Sequence, residues 1–324
     1  MIEARELRKT FFVARHYKGM FGAVRTLLSR QGREIRAVDG VSFRIEPGEF
    51  VGYVGPNGAG KSTTIKMLTG ILHPTSGEVW VNGLSPQRQR VQVARSIGVV
   101  FGQRTQLWWD LPVVESFELL AAMYGVDREK YRKRLREFDD LLGIGEFLDV
   151  PVRKLSLGQR MRADLAAALL HDPPVLFLDE PTIGLDVVAK DSIREFLKDI
   201  NARGTTILLT THDLADIQQL CRRVMVINHG QLVFDGSLEE LRTAIGAPTL
   251  LTVEYRDQPR NGEVLTAAGL TLVNAETRSN SLTVAFDRSE RSASEVIMLL
   301  GRLGEIRDVH LREPDIEQLI KQLY

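Results

Sequence analysis

At 324 residues, with 44 % hydrophobic and 26 % charged side chains, the chain is long enough for two globular domains of unequal size. Its 42 basic and 42 acidic residues cancel, which gives no general attraction to nucleic acid or another polyanion. The one cysteine, Cys221, excludes an internal disulfide and fits a reducing compartment; the opening MIEARELRKTFF lacks the apolar core of a signal peptide.

No window approaches eighteen uninterrupted apolar residues, so no membrane span is expected. The first strand candidate runs into an unusual stretch, roughly residues 13–36, rich in Arg and Lys. Its apolar residues Met20, Phe21, Val24, Leu27 and Leu28 fall at helical spacing. A short basic amphipathic helix against a membrane surface or a partner is one reading, and a solvated surface hairpin or helix is the other. VDGVSFRI (38–45) and FVGYVG (50–55) read as strands on either side of a Pro-Gly turn, and a helix is predicted from Ser62 to Leu72. Residues 105–170 carry helical periodicity with no convincing strand. VLFLDE (175–180) and TTILLT (205–210) are short apolar runs typical of parallel strands covered on both faces, with a helix between them. A hairpin over 224–236 and a helix over 237–245 lead to Gly246-Ala-Pro248, the expected domain boundary. Beyond it strand, helix, hairpin, helix, strand and helix alternate, which predicts a small α+β sandwich of the ferredoxin-like kind.

Gly55-Pro56-Asn57-Gly58-Ala59-Gly60-Lys61-Ser62-Thr63 fits G-x-x-x-x-G-K-[ST], directly after a strand and opening a helix. The glycines let successive backbone N–H groups point inward at phosphate, Lys61 reaches the β- and γ-phosphates, and the Ser62 hydroxyl is placed for Mg²⁺. The strand ending at Asp179 sets a carboxylate beside this loop, where it can hold Mg²⁺ through water. Glu180, next in the chain, can polarise an attacking water. His212 follows the strand TTILLT at the edge of a parallel sheet where ligands bind, within reach of a γ-phosphate. Far from the loop, Leu155-Ser-Leu-Gly-Gln159 reads as a helix entry capped by Ser156, with Gly158 just inside. Its free N–H groups and positive dipole end suit a second anion.

The glycine loop, Gln103, Leu155–Gln159, VLFLDE, Gly184-Leu-Asp186 and His212 together resemble the ATP-binding-cassette (ABC) ATPases, in that family's order and over roughly residues 1–245. The resemblance implies an α/β P-loop NTPase cassette, a RecA-like core plus an α-helical subdomain at about 104–160. The cassette would fill residues 1–246, with the small α+β domain in 247–324. It implies ATP and Mg²⁺ as ligands, the metal held by Ser62, Gln103 and Asp179, with Glu180, His212 and Lys61 as the catalytic set. It implies head-to-tail packing of two cassettes, where Ser156, Gly158 and Gln159 of one close the P-loop site of the other. Asp186 would cross that interface, and an early aromatic, Phe11 with Phe12 and Tyr17 as neighbours, would stack on adenine. Leu157 stands where glycine is commoner, which touches only the fine geometry there. The implied partners are a second cassette, expected to be an identical copy, and integral membrane permease subunits that hold the protein at the cytoplasmic face. One of the adjacent Trp108 and Trp109 is a candidate exposed anchor for the permease, and ordinary packing of both is the other reading. The wording of 102–126 and 152–173 looks most like efflux-type subunits that pair with separate permeases. A soluble cassette acting on ribosomes or DNA is the alternative; it fits poorly with one cassette and zero net charge, and no nucleic acid is expected.

Overall fold

Three five-residue strands, β3 (Phe50–Val54), β6 (Val175–Asp179) and β7 (Thr206–Thr210), are buried along almost their whole length. Continuous apolar runs of this kind tolerate burial on both faces, so they form the middle of a parallel sheet. The computed structural model describes residues 1–14, 32–102, 104–245, 248–257, 270–276, 280–288 and 290–312. Two compact units emerge, Met1–Gly236 and Ser237–Tyr324, a division that falls before the boundary read at Gly246 and leaves the helix over Leu238–Ile245 with the second unit.

In the first unit the strands run in the order β5-β6-β7-β3-β8-β9, with β5 at Ile97–Phe101, β8 at Arg223–Asn228 and β9 at Gln231–Ser237. The pairs β5/β6, β6/β7, β7/β3 and β3/β8 are all parallel. Asp179 is registered directly beside Thr210, so the loops after β6 and β7 leave the sheet side by side. A second sheet, β2-β1-β4, is antiparallel: β1 (Ile2–Ala14), β2 (Gly32–Ile45) and β4 (Ser76–Val81). The two sheets share one apolar core around Ile2, Val41, Tyr53, Ile65, Phe177 and Met225.

The expected basic stretch over 13–36 is narrower than the sequence suggested. Val13 and Ala14 pair with Arg33 and Gly32, so both ends of the stretch are strand, and the apolar positions read as helical lie outside the described residues. Strands β4 and β5 and the short helix α2 (Arg90–Arg95) had no counterpart in the sequence reading. Helix α1 (Lys61–Leu68) stops short of the predicted Leu72, at Thr69 followed by Gly70 in a left-handed conformation. Residues 104–170 hold α3 (Val113–Tyr124), α4 (Arg128–Leu142), two short 3₁₀ turns and α5 (Leu157–Leu169), while α6 (Val187–Ala202) links β6 to β7 and α7 (Leu214–Leu220) follows β7. Asp127 caps α4, accepting from the Glu129 N–H at 2.8 Å. Trp108 and Trp109 are both exposed, while their neighbour Leu107 is buried.

The second unit begins with α8 (Leu238–Ile245) and contains an antiparallel sheet in the order β11-β12-β10-β13, with β10 at Thr249–Tyr255, β11 at Thr271–Glu276, β12 at Ser281–Phe286 and β13 at Ile306–Arg312. That order is the one a split β-α-β arrangement produces. Helix α9 (Ala293–Gly301) places Val296 and Leu300 in a core with Leu251, Val253, Val284 and Phe286. The helices predicted over 262–269 and 316–324 lie outside the described residues. No helix among the described residues is long and apolar enough to cross a membrane.

Candidate functional site

The loop between β3 and α1 curls around the Lys61 ammonium, which donates to the carbonyls of Gly55 at 2.6 Å and Pro56 at 3.1 Å. Two close approaches make this curl possible. A Cβ on Gly55 would lie 2.2 Å from the Ile227 carbonyl oxygen, and one on Gly60, at φ 112°, 2.3 Å from that of Ala37. Gly60 precedes α1 with no side-chain cap, so the first N–H groups of that helix are left for a ligand. Burial pushes the Lys61 ammonium below the ordinary lysine range, and the nearby carboxylates of Glu180 and Asp179 pull part of the way back.

Ser62, at the first turn of α1, donates to Asp179 Oδ1 at 3.2 Å, and Thr210 donates to the same oxygen at 2.6 Å. A hydroxyl and a carboxylate held this close are the hard oxygen donors that Mg²⁺ prefers, so the pair fits the metal the sequence implies. Glu180 leaves β6 in a left-handed conformation, φ 58°, with its N–H fixed to the Thr210 carbonyl at 2.9 Å. That turn brings its carboxylate to 2.7 Å from His212 Nε2. The carbonyl of Glu180 blocks any side chain at Gly102, where a Cβ would come within 2.1 Å.

A cavity of about 330 Å³ opens here, lined by Ser62, Lys66, Ile71, Phe101, Gly102, Arg104, Asp179 and Glu180. Lys66, Arg104 and Thr210 did not stand out in the sequence. The signal for Thr210 was its place at the end of a strand parallel to the one that ends in Asp179, which puts the two side by side. Gln103 lies outside the described residues.

The remaining expected residues lie elsewhere. Ser156 caps α5 in a reciprocal box with Gln159: the Gln159 N–H reaches Ser156 Oγ at 3.2 Å, and the Ser156 N–H reaches Gln159 Oε1 at 3.0 Å. The Ser156 hydroxyl proton stays available to a further acceptor. Gly158 has ordinary room for a Cβ, 3.5 Å from the nearest atom, and neither it, Ser156 nor Gln159 lines the cavity. Leu157 packs toward Gly184, whose Cβ would stand 3.0 Å from the leucine methyl. Asp186 caps α6, accepting from the Ala189 N–H at 2.8 Å. Phe11, on β1, is 38 % exposed, with Lys9 Nζ 5.3 Å from its ring centre.

A buried carboxylate inside α5 ties this helix to the segment after Gln103. Asp164 Oδ1 accepts from Thr105 Oγ1 at 2.9 Å and from the Gln106 N–H at 3.0 Å. Burial pushes its pKa up to about 6; these two hydrogen bonds and the charge of Arg160 oppose the rise and lose.

The family model for ABC transporters matches residues 38–183, the span from β2 past the Glu180 turn. The daunorubicin resistance ATP-binding protein DrrA3 of Streptomyces coeruleorubidus is 32 % identical over 289 residues, covering 89 % of this chain and 91 % of that one. The chain belongs to the ABC transporter family of ATP-binding proteins. A second member, the Nod factor export ATP-binding protein I of Ralstonia nicotianae, is 34 % identical over 299 residues, covering 90 % of this chain and 92 % of its own. A dimeric ATP-binding cassette solved in a post-hydrolysis state with ADP and Pi superposes with a TM-score of 0.62 at 28 % identity, covering 74 % of this chain and 99 % of that one. This ABC protein is thus a P-loop ATPase, and the Lys61, Ser62, Asp179, Glu180 and His212 cluster stands where its strand ends converge.

Proposed function

We propose that this chain is the ATP-hydrolysing subunit of a membrane exporter and that two copies close around two ATP molecules. The observation that carries the reading is the 2.7 Å contact of Glu180 with His212 beside the Ser62–Asp179 pair and the Lys61 loop. Residues 55–63 cradle the phosphates, and Lys61 exchanges its loop carbonyls for β- and γ-phosphate oxygens. The Glu180 carboxylate takes a proton from the water that attacks the γ-phosphorus as the bond from that phosphorus to the β–γ bridging oxygen breaks and ADP leaves; His212 holds Glu180 in place and is assigned to contact the γ-phosphate. Mg²⁺, when bound, would supply positive charge that offsets the negative charge of the phosphates. Ser62, Asp179 and Gln103 are the residues assigned to it. Phe11 is assigned to the adenine because its ring is exposed at the end of β1.

The Ser156 hydroxyl proton, left available by the capping box, and the open backbone at Gly158, neither lining the chain's own cavity, support their use in a second subunit's site. Asp186 is assigned to the same interface. Relatives named for drug resistance and Nod factor export support the exporter reading, with separate permease subunits holding the protein at the membrane. Glu180→Gln tests the scheme: it is expected to bind Mg-ATP, to hydrolyse it very slowly and to accumulate as a dimer in size-exclusion chromatography with light scattering. A variant that stays monomeric at saturating Mg-ATP sinks the shared-site account.

A further inference from the structure

Beyond Asp179 and Thr210 the two site loops part company. Their last backbone link is the Glu180 N–H to the Thr210 carbonyl. Glu180 and His212 must nevertheless keep a separation set to a fraction of an ångström, and neither loop is regular secondary structure. A side chain supplies the missing connection. Asp216, on α7, is 0 % exposed, and a single one of its oxygens, Oδ2, accepts from Thr182 Oγ1 at 2.6 Å and from Thr211 Oγ1 at 2.9 Å. Thr182 lies two residues after Glu180, with the rigid Pro181 between, and Thr211 immediately precedes His212.

The other oxygen, Oδ1, takes Arg194 Nε from α6 at 2.7 Å. A carboxylate removed from water is tolerated only when its charge and lone pairs are matched, and here all three donors are themselves buried. Arg194 is braced in turn by Asp191 at 3.0 Å and Asp213 at 3.4 Å, and Lys190 binds Asp213 at 2.6 Å. Thr211 is doubly fixed, since its hydroxyl oxygen also accepts the Asp213 N–H at 2.9 Å. None of these groups lines the cavity. Their common effect is to hold the stems of the two loops that carry Glu180 and His212.

We propose that Asp216 is the positioning residue of the Glu180–His212 pair, clamping Thr182 and Thr211 to one carboxylate oxygen while Arg194, bound to the other, holds the carboxylate in orientation. The clamp acts on turnover rather than on nucleotide binding, because the phosphate loop and Ser62 hang from β3 and α1 and not from these loops.

The inference rests on Glu180 and His212 as the reacting pair, so Glu180→Gln is measured beside it. The test uses the full-length chain: stoichiometric Mg-ATP binding, then single-turnover hydrolysis per bound nucleotide, in Thr182→Val, Thr211→Val and Asp216→Ala. Valine keeps the threonine shape and deletes only the hydroxyl, and Thr182→Ser and Thr211→Ser restore it. Each valine variant is expected to lose about tenfold or more in turnover with ATP affinity nearly unchanged, since small misplacement of reacting groups is costly. Each serine variant is expected to recover most of that loss, and Asp216→Ala to fall furthest. Wild-type turnover in both valine variants overturns the clamp; so does a parallel loss of ATP affinity and turnover that serine does not restore. If Asp216→Ala fails to fold, the threonine series decides alone. Rapid hydrolysis by Glu180→Gln fails the site assignment instead, a result the threonine variants cannot imitate.

Discussion

Helices α1 and α5 both begin beside a glycine in a motif that suits an anion, yet their first turns are built oppositely. The start of α1 has no side-chain cap, and Gly60 is forced by its own fold: a positive φ and a Cβ 2.3 Å from the Ala37 carbonyl leave no alternative. The start of α5 is capped by the Ser156–Gln159 box, and Gly158 there meets nothing closer than 3.5 Å. One glycine is required by the chain's own packing and the other is not. A residue type that the subunit itself does not need points to a demand imposed from outside it.

The largest effects belong to α1. Lys61→Ala removes the one charged side chain of residues 55–63 and is expected to abolish Mg-ATP binding, read by titration calorimetry; wild-type affinity would end the proposed phosphate-loop assignment. Gly60→Ala strains a glycine-only conformation and drives a methyl into backbone, so about 3 kcal/mol or more of stability should go in a urea titration. Next comes a pH effect inside α5. The folded chain holds the Asp164 proton more tightly than the unfolded chain, its pKa standing at about 6 against an ordinary 3.8. Stability contributed by this group is therefore full at low pH and is lost as pH rises from about 4 to about 6, roughly 3 kcal/mol in all. Asp164→Asn keeps an acceptor for Thr105 and Gln106, so it should flatten that slope in pH-dependent denaturation and leave the variant the more stable form above pH 6. Ser156→Ala removes a cap and is expected to cost about 1 kcal/mol.

The contrast between the two helix starts also explains what could be read from the sequence. The glycine-rich turn before α1, the strand that ends in Asp179 and the Ser156 cap were legible because each such piece of local structure needs particular residues in one unbroken stretch. The edges were not. β4 shows a mostly exposed pattern and lacks the clear apolar run of β3 or β7, while β5, IGVVF at the sheet border, carries such a run, but one shortly before a long stretch of helical periodicity. The strand pairing of Val13 and Ala14 with Arg33 and Gly32 was hidden by a basic composition that mimics a solvated helix. Asp216 was illegible for another reason. Its partners Thr182, Arg194 and Thr211 are ordinary residues on three separate segments, and only the parallel register of β6 with β7 brings them to one carboxylate.

Gly158→Ala has the smallest expected effect on the subunit and separates the two helix starts most sharply. The new methyl finds ordinary contact distance to Ala189, and alanine is the better helix former, so the melting temperature should hold or rise slightly, within about 1 kcal/mol. ATP affinity of the isolated subunit should hold as well, because Gly158 does not line the chain's own cavity. A phosphate approaching from a second subunit would meet that methyl at the helix start, where backbone N–H groups have to come within hydrogen-bond distance. In the Glu180→Gln background, then, Gly158→Ala is expected to lower ATP-driven dimerisation without touching stability. If the double variant dimerised normally, Gly158 would be as dispensable between subunits as it is within one, and the anion at the start of α5 would have to be sought elsewhere.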